Sequence, residues 1–245
     1  YLISKMTKKY VSVALSGDGG DELFGGYNKY KLVNNDFYNL IFLPKKIRYL
    51  LSKLITKISV NKYDLFFKNL QKLKLINNIN NIGDKLHKYA NILLLDNINE
   101  IYFSLIDNFY KKKSPINSDF FRNFTLIDLY SLPEFKSESE KMMYFDLIAY
   151  LPDDILCKVD RASMSVSLET RAPFLSHKVI EFALDLPLEK KLSKNNNKII
   201  LRETLSKILP DNIINTQKKG FAIPLANWLR GPLIEWAKDL LTNKD

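Results

Sequence analysis

Leu15 to Tyr30 read LSGDGGDELFGGYNKY, and the apolar run Val11-Ser12-Val13-Ala14-Leu15 breaks off where this stretch begins. A short apolar run that ends in glycines predicts a buried strand opening into a loop. Five glycines fall within the ten residues from Gly17 to Gly26. Glycine permits positive φ and lets a ligand come close to the backbone, so such a loop exposes N–H groups that can cradle phosphate. Asp18, Asp21 and Glu22 are interleaved with these glycines. Carboxylates repel phosphate unless a divalent cation lies between them, which points to a magnesium nucleotide and not to a bare anion. The plainer reading is a tight turn into a helix with an acidic first turn. Five glycines are more than such a turn needs.

Beyond Tyr30 the periodicity is mostly helical. Ile47, Leu50, Leu51, Leu54, Ile55 and Ile58 follow an i, i+3, i+4 stripe that starts just after Pro44. Helices are also predicted around 63–70, over 86–95 and over 98–109, with a turn at 77–83 and a polar loop at 114–123. A different texture begins near Glu134. The apolar face of 142–150 is expected to stop at Leu151-Pro152, and Asp153-Asp154 to start the next helix. A turn at 171–174, a short helix over 179–186, a helix over 198–209 capped by Asn195-Asn196-Asn197, and a stripe from Trp228 to Leu240 complete the pattern. No repeat and no flexible linker interrupts it.

The 245 residues carry a net charge of +10, and the segment from Leu40 to Ala90 alone carries +9. A basic block suggests nucleic acid or an anionic membrane surface. Here the basic residues alternate with apolar ones at helical spacing and no nucleic-acid module accompanies them, so they read as solvated helix faces. No apolar stretch reaches the ~18 residues a membrane span needs. Cys157 is the single cysteine, which fits a reducing compartment, with the cytoplasm as the expected location. The chain opens on Tyr1 and a helix-like Leu2-Ile3-Ser4-Lys5-Met6, so a natural beginning upstream is expected.

Three further clusters could carry chemistry. On a helix, Asp154, Lys158 and Arg161 share one face, with Asp153, Cys157 and Asp160 beside it; surface salt bridges alone would account for them. Lys198 stands at a helix start, where a cation opposes the macrodipole unless an anion is near. Gln217-Lys218-Lys219-Gly220-Phe221 is a basic turn. His87 and His177 lack metal-ligand partners at helical spacing, Cys157 lies in an apolar run, and Ser16 has no neighbouring base. None of these four is assigned a nucleophilic or metal-binding role.

LSGDGGDELFGGYNKY, YLPDDILCKVDRASMSVSLETRAPFLSHKVIEFALDLP, KIILRETLSKILP and KKGFAIPLANWLRGPL occur in that order. Together they resemble the synthetase domain of glutamine-hydrolysing asparagine synthetases. The likeness covers nearly the whole chain and is weakest from Leu32 to Lys141. It implies a truncated α/β fold of the ATP-pyrophosphatase, Rossmann-like type, here predominantly helical with one or two strands near the N-terminus. It also implies one partial synthetase domain over 1–245: a strand and nucleotide loop in 1–30, a variable helical segment in 31–140 and a substrate and ATP segment in 141–245.

The implied reaction uses ATP and Mg2+. A carboxylate, most often the aspartate side chain, attacks the α-phosphate to give an acyl-adenylate and pyrophosphate. Ammonia from a glutaminase domain outside this chain then displaces AMP to form the amide. By position, Ser16, Gly17, Gly19 and Gly20 resemble the ATP-contacting loop, and Asp21 the magnesium aspartate. Asp18 falls where many members carry Glu, a residue that helps deprotonate or position ammonia; its side chain is shorter. Lys198 matches the lysine that neutralises charge at the α-phosphate. Lys158, Asp160 and Arg161 match the segment on the substrate and pyrophosphate side. The family's first phosphate loop, S-G-G-x-D-S, is absent from these residues, so the chain alone is expected to be inactive. The same chemistry on uronic acids of surface polysaccharides is the alternative, and a non-catalytic basic binding module is a distant one. The resemblance implies no nucleic-acid partner and no membrane span, and it leaves room for a homodimer in the full-length protein.

Overall fold

The apolar run at Val11 condenses to a strand of three residues, β1 (Val13–Leu15), after a short first helix, α1 (Leu2–Thr7). In this computed structural model, residues 1–33, 43–72, 81–106, 133–214 and 224–242 are described. Strand β1 pairs in parallel with β2 (Glu169–Arg171), in the register Val13↔Glu169, Ala14↔Thr170 and Leu15↔Arg171. The pairing runs on at both ends: Glu169 N–H donates to the Ser12 carbonyl at 3.0 Å and Ser16 N–H to the Arg171 carbonyl at 2.8 Å. The sequence predicts a buried strand, and the structure corrects this. Parallel strands are normally covered on both faces, but these two form the only sheet among the described residues, and Val13 and Leu15 are 47% and 77% exposed.

Two compact units make up the chain, Tyr1–Glu203 and Thr204–Asp245. In the first, the loop after β1 leads into α2 (Gly20–Leu23) and α3 (Asn28–Leu32). Helices α4 (Lys45–Lys57), α5 (Val60–Lys72) and α6 (Ile82–Ile92) pack together. The Gly83 N–H donates to Asp64 Oδ1 at 2.9 Å, and a Cβ at Gly83 would meet the Val60 carbonyl. This basic segment is not wholly solvated. Arg48 is buried, donating to the carbonyls of Leu43, Leu93 and Leu95 and pairing with Asp96 at 2.9 Å. One guanidinium thereby satisfies carbonyls left open beyond the end of α6.

Helix α7 (Ile98–Ile106) and α8 (Glu138–Phe145) bring Ile101, Tyr102, Met142 and Phe145 into a core with Tyr30, Val33 and Leu192. The helical path does not stop at Pro152. It continues from α8 as an eleven-residue π-helix (Asp146–Leu156) with Pro152 inside, and then as α9 (Cys157–Met164). The wider π turn gives the pyrrolidine ring room that an α turn lacks. After β2, a 3-10 turn (Pro173–Leu175), α10 (His177–Asp185), α11 (Leu188–Lys191) and α12 (Ile199–Leu205) follow. A second core gathers Leu23, Phe24 and Ala183 with Phe174, Leu175, Ile200 and Leu201. It therefore lies under the glycine loop and ties that loop to α12.

In the second unit, α13 (Asp211–Ile214) precedes α14 (Leu225–Arg230) and α15 (Ile234–Thr242). The Leu233 N–H donates to the Trp228 carbonyl at 2.8 Å at the turn between the last two. The basic turn at Gln217–Phe221 and the loop at 114–123 lie outside the described residues. No described helix is long and apolar enough to cross a membrane.

Candidate functional site

The glycine loop owes much of its composition to packing. Gly19 has φ +84, and a Cβ there would collide with Leu175. At Gly20 a Cβ would press 3.1 Å from the Phe174 ring, and at Gly25, φ +70, 2.9 Å from Leu192. The Gly20 N–H is already bonded to the Gly17 carbonyl at 3.2 Å, and the Ser16 N–H is used in the sheet. Gly17 differs, since a Cβ there would meet nothing within 4 Å. Of the three loop glycines assigned to nucleotide contact, Gly17 is thus the one with open space around it. Asp18 is half-buried between Gly17 and Gly19.

The remaining glycine, Gly26, creates the site. A Cβ at this position would collide with Asp21 Oδ1 and lie 2.5 Å from Lys198 Cε. With only hydrogen there, Lys198 Nζ reaches Asp21 Oδ1 at 2.9 Å, with the two side chains 33% and 26% exposed. Asp21 stands in the first turn of α2, where the helix dipole favours an anion. Lys198 precedes α12, and its carbonyl accepts the Arg202 N–H at 2.9 Å. The anion that a lysine at a helix start calls for is therefore Asp21, brought from the far end of the chain.

Lys198 is held there by its neighbours. Its φ is +53, a left-handed conformation that a side chain disfavours by about 1 kcal/mol. Asn197 donates from Nδ2 to the Gly26 carbonyl at 2.8 Å, and its own carbonyl accepts from Arg202 Nε at 2.9 Å. The sequence predicts Asn195–Asn197 as a cap for a helix over 198–209. Instead, the Asn197 side chain reaches across to the loop, and the helix runs only from Ile199 to Leu205. Backbone alone could satisfy a cap, but only a side-chain amide spans the gap to Gly26.

Behind the pair lies a buried polar network that sequence reasoning missed. Glu22 is buried and accepts a hydrogen bond from the Tyr27 hydroxyl at 2.8 Å. Burial pushes the Glu22 carboxyl above the usual carboxylate range, although the Tyr27 bond opposes this. Burial and the Glu22 carboxylate push the Tyr27 phenol up. Asp146, fully buried, pairs with Lys29 Nζ at 2.7 Å and accepts from the Tyr30 hydroxyl at 2.5 Å. The Lys29 ammonium stands 5.0–5.8 Å from the ring centres of Tyr27, Tyr30, Tyr102 and Tyr150. Burial, with the Asp146 charge next, pushes the phenols of Tyr30 and Tyr102 up. An aromatic run such as YNKY just after the glycines is the available signal, since Tyr with Lys can form a cation–π cage.

Lys158, Asp160 and Arg161 are not brought to this pair. All three are exposed on α9, and Lys158 pairs locally with Asp154 at 3.9 Å. His87 contacts the Ile58 carbonyl at 2.8 Å and His177 faces Glu181 at 3.5 Å. Among the described residues no three His, Cys, Asp or Glu side chains gather as metal ligands. Magnesium on a nucleotide needs only one or two protein carboxylates, with phosphate and water filling the rest. A partly exposed Asp21 beside a lysine fits that requirement.

The asparagine synthase family model matches residues 1–245. Asparagine synthetase [glutamine-hydrolyzing] 1 of Bacillus subtilis is 29% identical over 98% of this chain and 35% of its own length. Asparagine synthetase [glutamine-hydrolyzing] 3 of the same organism is 32% identical over 43% of this chain and 17% of its own. The chain spans about a third of the length of the first of these relatives. No solved structure matches it. Four ordered motifs, a loop and lysine in contact, and a match from first residue to last converge: this chain belongs to the asparagine synthase family.

Proposed function

We propose that these residues form part of the synthetase site of an ATP-dependent, amide-forming ligase of the ATP-pyrophosphatase type. The acceptor in this reading is the aspartate side chain, the nitrogen comes from glutamine, and the products are asparagine, AMP and pyrophosphate. The observation that carries it is the 2.9 Å approach of Lys198 to Asp21 across Gly26. A cation and a carboxylate from separate motifs meet as a partly exposed pair, and the same glycine loop keeps open space at Gly17.

The chemistry asks for three things from this chain. Asp21 would hold the magnesium ion, which, when bound, neutralises phosphate oxygens and orients the nucleotide. Lys198 would move its ammonium from Asp21 to the α-phosphate. There, negative charge builds as a carboxylate oxygen bonds to phosphorus and the bond to pyrophosphate breaks. The same ammonium would steady the phosphate while ammonia attacks the acyl carbon, AMP departs and a proton is lost. Asp18, half-buried in the glycine loop, would receive that proton. Ser16 and Gly17 would border the nucleotide, with Gly19 and Gly20 shaping the loop.

The test is made on a polypeptide in which this chain follows an S-G-G-x-D-S loop, with ammonium salt as nitrogen donor. Lys198→Ala should lower pyrophosphate release with aspartate by about 10²–10³, the usual effect of removing one charge-stabilising group. A loss below threefold refutes the role. Release that depends on a nucleotide-linked uronate and ignores aspartate would refute the acceptor while keeping the chemistry.

A further inference from the structure

Helix α4 has a buried face and an apolar face, and the two do not coincide. The residues it buries are Arg48 and Ser52, one turn apart. Ile47, Leu50, Leu51 and Leu54 follow the i, i+3, i+4, i+7 spacing of a single stripe, yet they are 37–57% exposed. A helix on a globular protein ordinarily turns such a stripe inward. A lone exposed leucine needs no account, but a contiguous apolar stripe marks a contact with something else. Lys46, Lys53 and Lys57 run beside it, all within about 60° of Leu50 around the helix axis at 3.6 residues per turn. All three are exposed, and among the described residues no ion pair takes them up. The helix itself carries no Asp or Glu. Asp96, the acid that does reach it, is engaged by Lys45 and Arg48.

Charge selects among the surfaces that could cover the stripe. A second copy would set lysine against lysine, since the helix has no acid and the chain carries +10. A nucleic acid would take the lysines and leave the leucines in water. An anionic bilayer takes both. Its acyl boundary buries the stripe, while the lysine stems lie along apolar surface and hold their ammonium groups at the level of the lipid phosphates and carboxylates. We propose that α4 lies in the plane of an anionic phospholipid bilayer, with Ile47, Leu50, Leu51 and Leu54 against the acyl chains and Lys46, Lys53 and Lys57 on the headgroups. At 1.5 Å per residue the helix is about 20 Å long, so it rests in the interface and does not cross the ~30 Å hydrocarbon core. One short stripe and three lysines make the attachment peripheral and reversible. This surface does not depend on the ligase reading.

The 245-residue chain is floated with vesicles of phosphatidylcholine alone and with vesicles of phosphatidylcholine and phosphatidylserine in equal parts. It should bind the anionic vesicles at least about tenfold more tightly, and lose that preference at about 1 M salt, where the screening length falls to about 3 Å. Replacing Lys46, Lys53 and Lys57 together by Gln should weaken binding by about 10², at about fivefold per lysine. Leu50→Asn with Leu54→Asn, at positions the fold leaves exposed, should weaken it at least about tenfold with helix content by circular dichroism unchanged. Gln at Lys178, Lys190 and Lys194, exposed on other elements, removes the same charge and should matter less than about threefold. Absence of binding, equal binding to both vesicles, or binding indifferent to salt overturns the proposal. So does a double Asn variant that folds and binds like the parent, since charge alone would then account for the attachment. Self-association of the chain that the same double variant abolishes would give the stripe to a second copy, and overturns it too.

Discussion

Gly26→Ala separates the geometry of the site from the stability of the fold. The added Cβ would collide with Asp21 Oδ1 and lie 2.7 Å from its Cγ and 2.5 Å from Lys198 Cε. The three nearest atoms all belong to side chains and none to backbone, so the side chains should swing away and the backbone stay. The broken ion pair is partly exposed and contributes only about 0–1 kcal/mol. Gly26 is not among the positive-φ glycines, so alanine fits its backbone and trims unfolded-state entropy by about 0.4–1 kcal/mol. The two terms nearly cancel, and urea denaturation of the chain should shift by less than about 1 kcal/mol. Pyrophosphate release is another matter, since displacement of about 1 Å in a positioned group lowers turnover by about 10². Gly17→Ala, with nothing within 4 Å of its Cβ, is the control, and its stability should change by less than about 0.5 kcal/mol. Loss of folding in Gly26→Ala would refute the premise that only side-chain ends crowd this position. Full turnover with unchanged stability would refute the catalytic assignment of the pair.

Asp146→Asn should destabilise the chain by roughly 2–4 kcal/mol in urea, because it leaves the largely buried Lys29 ammonium without its counter-charge. A loss under about 1 kcal/mol would mean the pair is not buried as described. Glu22 gives a pH signature. Its folded carboxyl titrates above its unfolded one, so its contribution to stability is greatest below the unfolded value and declines as pH rises through the folded one. Glu22→Gln keeps an acceptor for Tyr27 and cannot ionise. Its stability relative to the parent chain should therefore rise between pH 4 and pH 8, and a fall over that range contradicts the sign. Gly83→Ala should cost about 1–3 kcal/mol by thermal or urea melting, since its Cβ meets the backbone of Val60, which cannot swing aside.

The helices are legible in the sequence because burial on one side imposes a 3.6-residue period. The stripe from Ile47, started at Pro44, is α4 with Pro44 as its N-cap. Strand β2 gives no such signal. Glu169-Thr170-Arg171 has no apolar alternation, and its extension comes from pairing with β1. Pro152 reads as a stop, since proline breaks an α turn; nothing in the one-dimensional pattern separates a stop from a shift into π register. Arg48 looks like any solvated base in a basic helix. Its burial depends on carbonyls at Leu93 and Leu95, far along the chain. The oddity of Lys198 is legible because a cation at a helix start demands an anion, but which anion answers is a fact of tertiary structure. Asn197 carries no legible signal beyond its place in an asparagine run whose simplest use is a cap.

The weakness of the Asp21–Lys198 pair suits the proposed role better than strength would. If Asp21 is to hold a metal and Lys198 a phosphate, the two must part whenever nucleotide arrives. A partly exposed pair worth about 1 kcal/mol or less parts readily against new charge-assisted hydrogen bonds of about 1.5–3 kcal/mol each. A more deeply buried pair, such as Lys29 with the fully buried Asp146, could not be opened so easily. What must not yield is the frame. The left-handed backbone of Lys198, the Asn197 bond to the Gly26 carbonyl and the missing Cβ at Gly26 keep the ammonium at the loop whether or not Asp21 holds it. In the proposed reaction, a fixed frame with a loose pair would hold a cation where charge develops, without committing it to a partner that would compete for it.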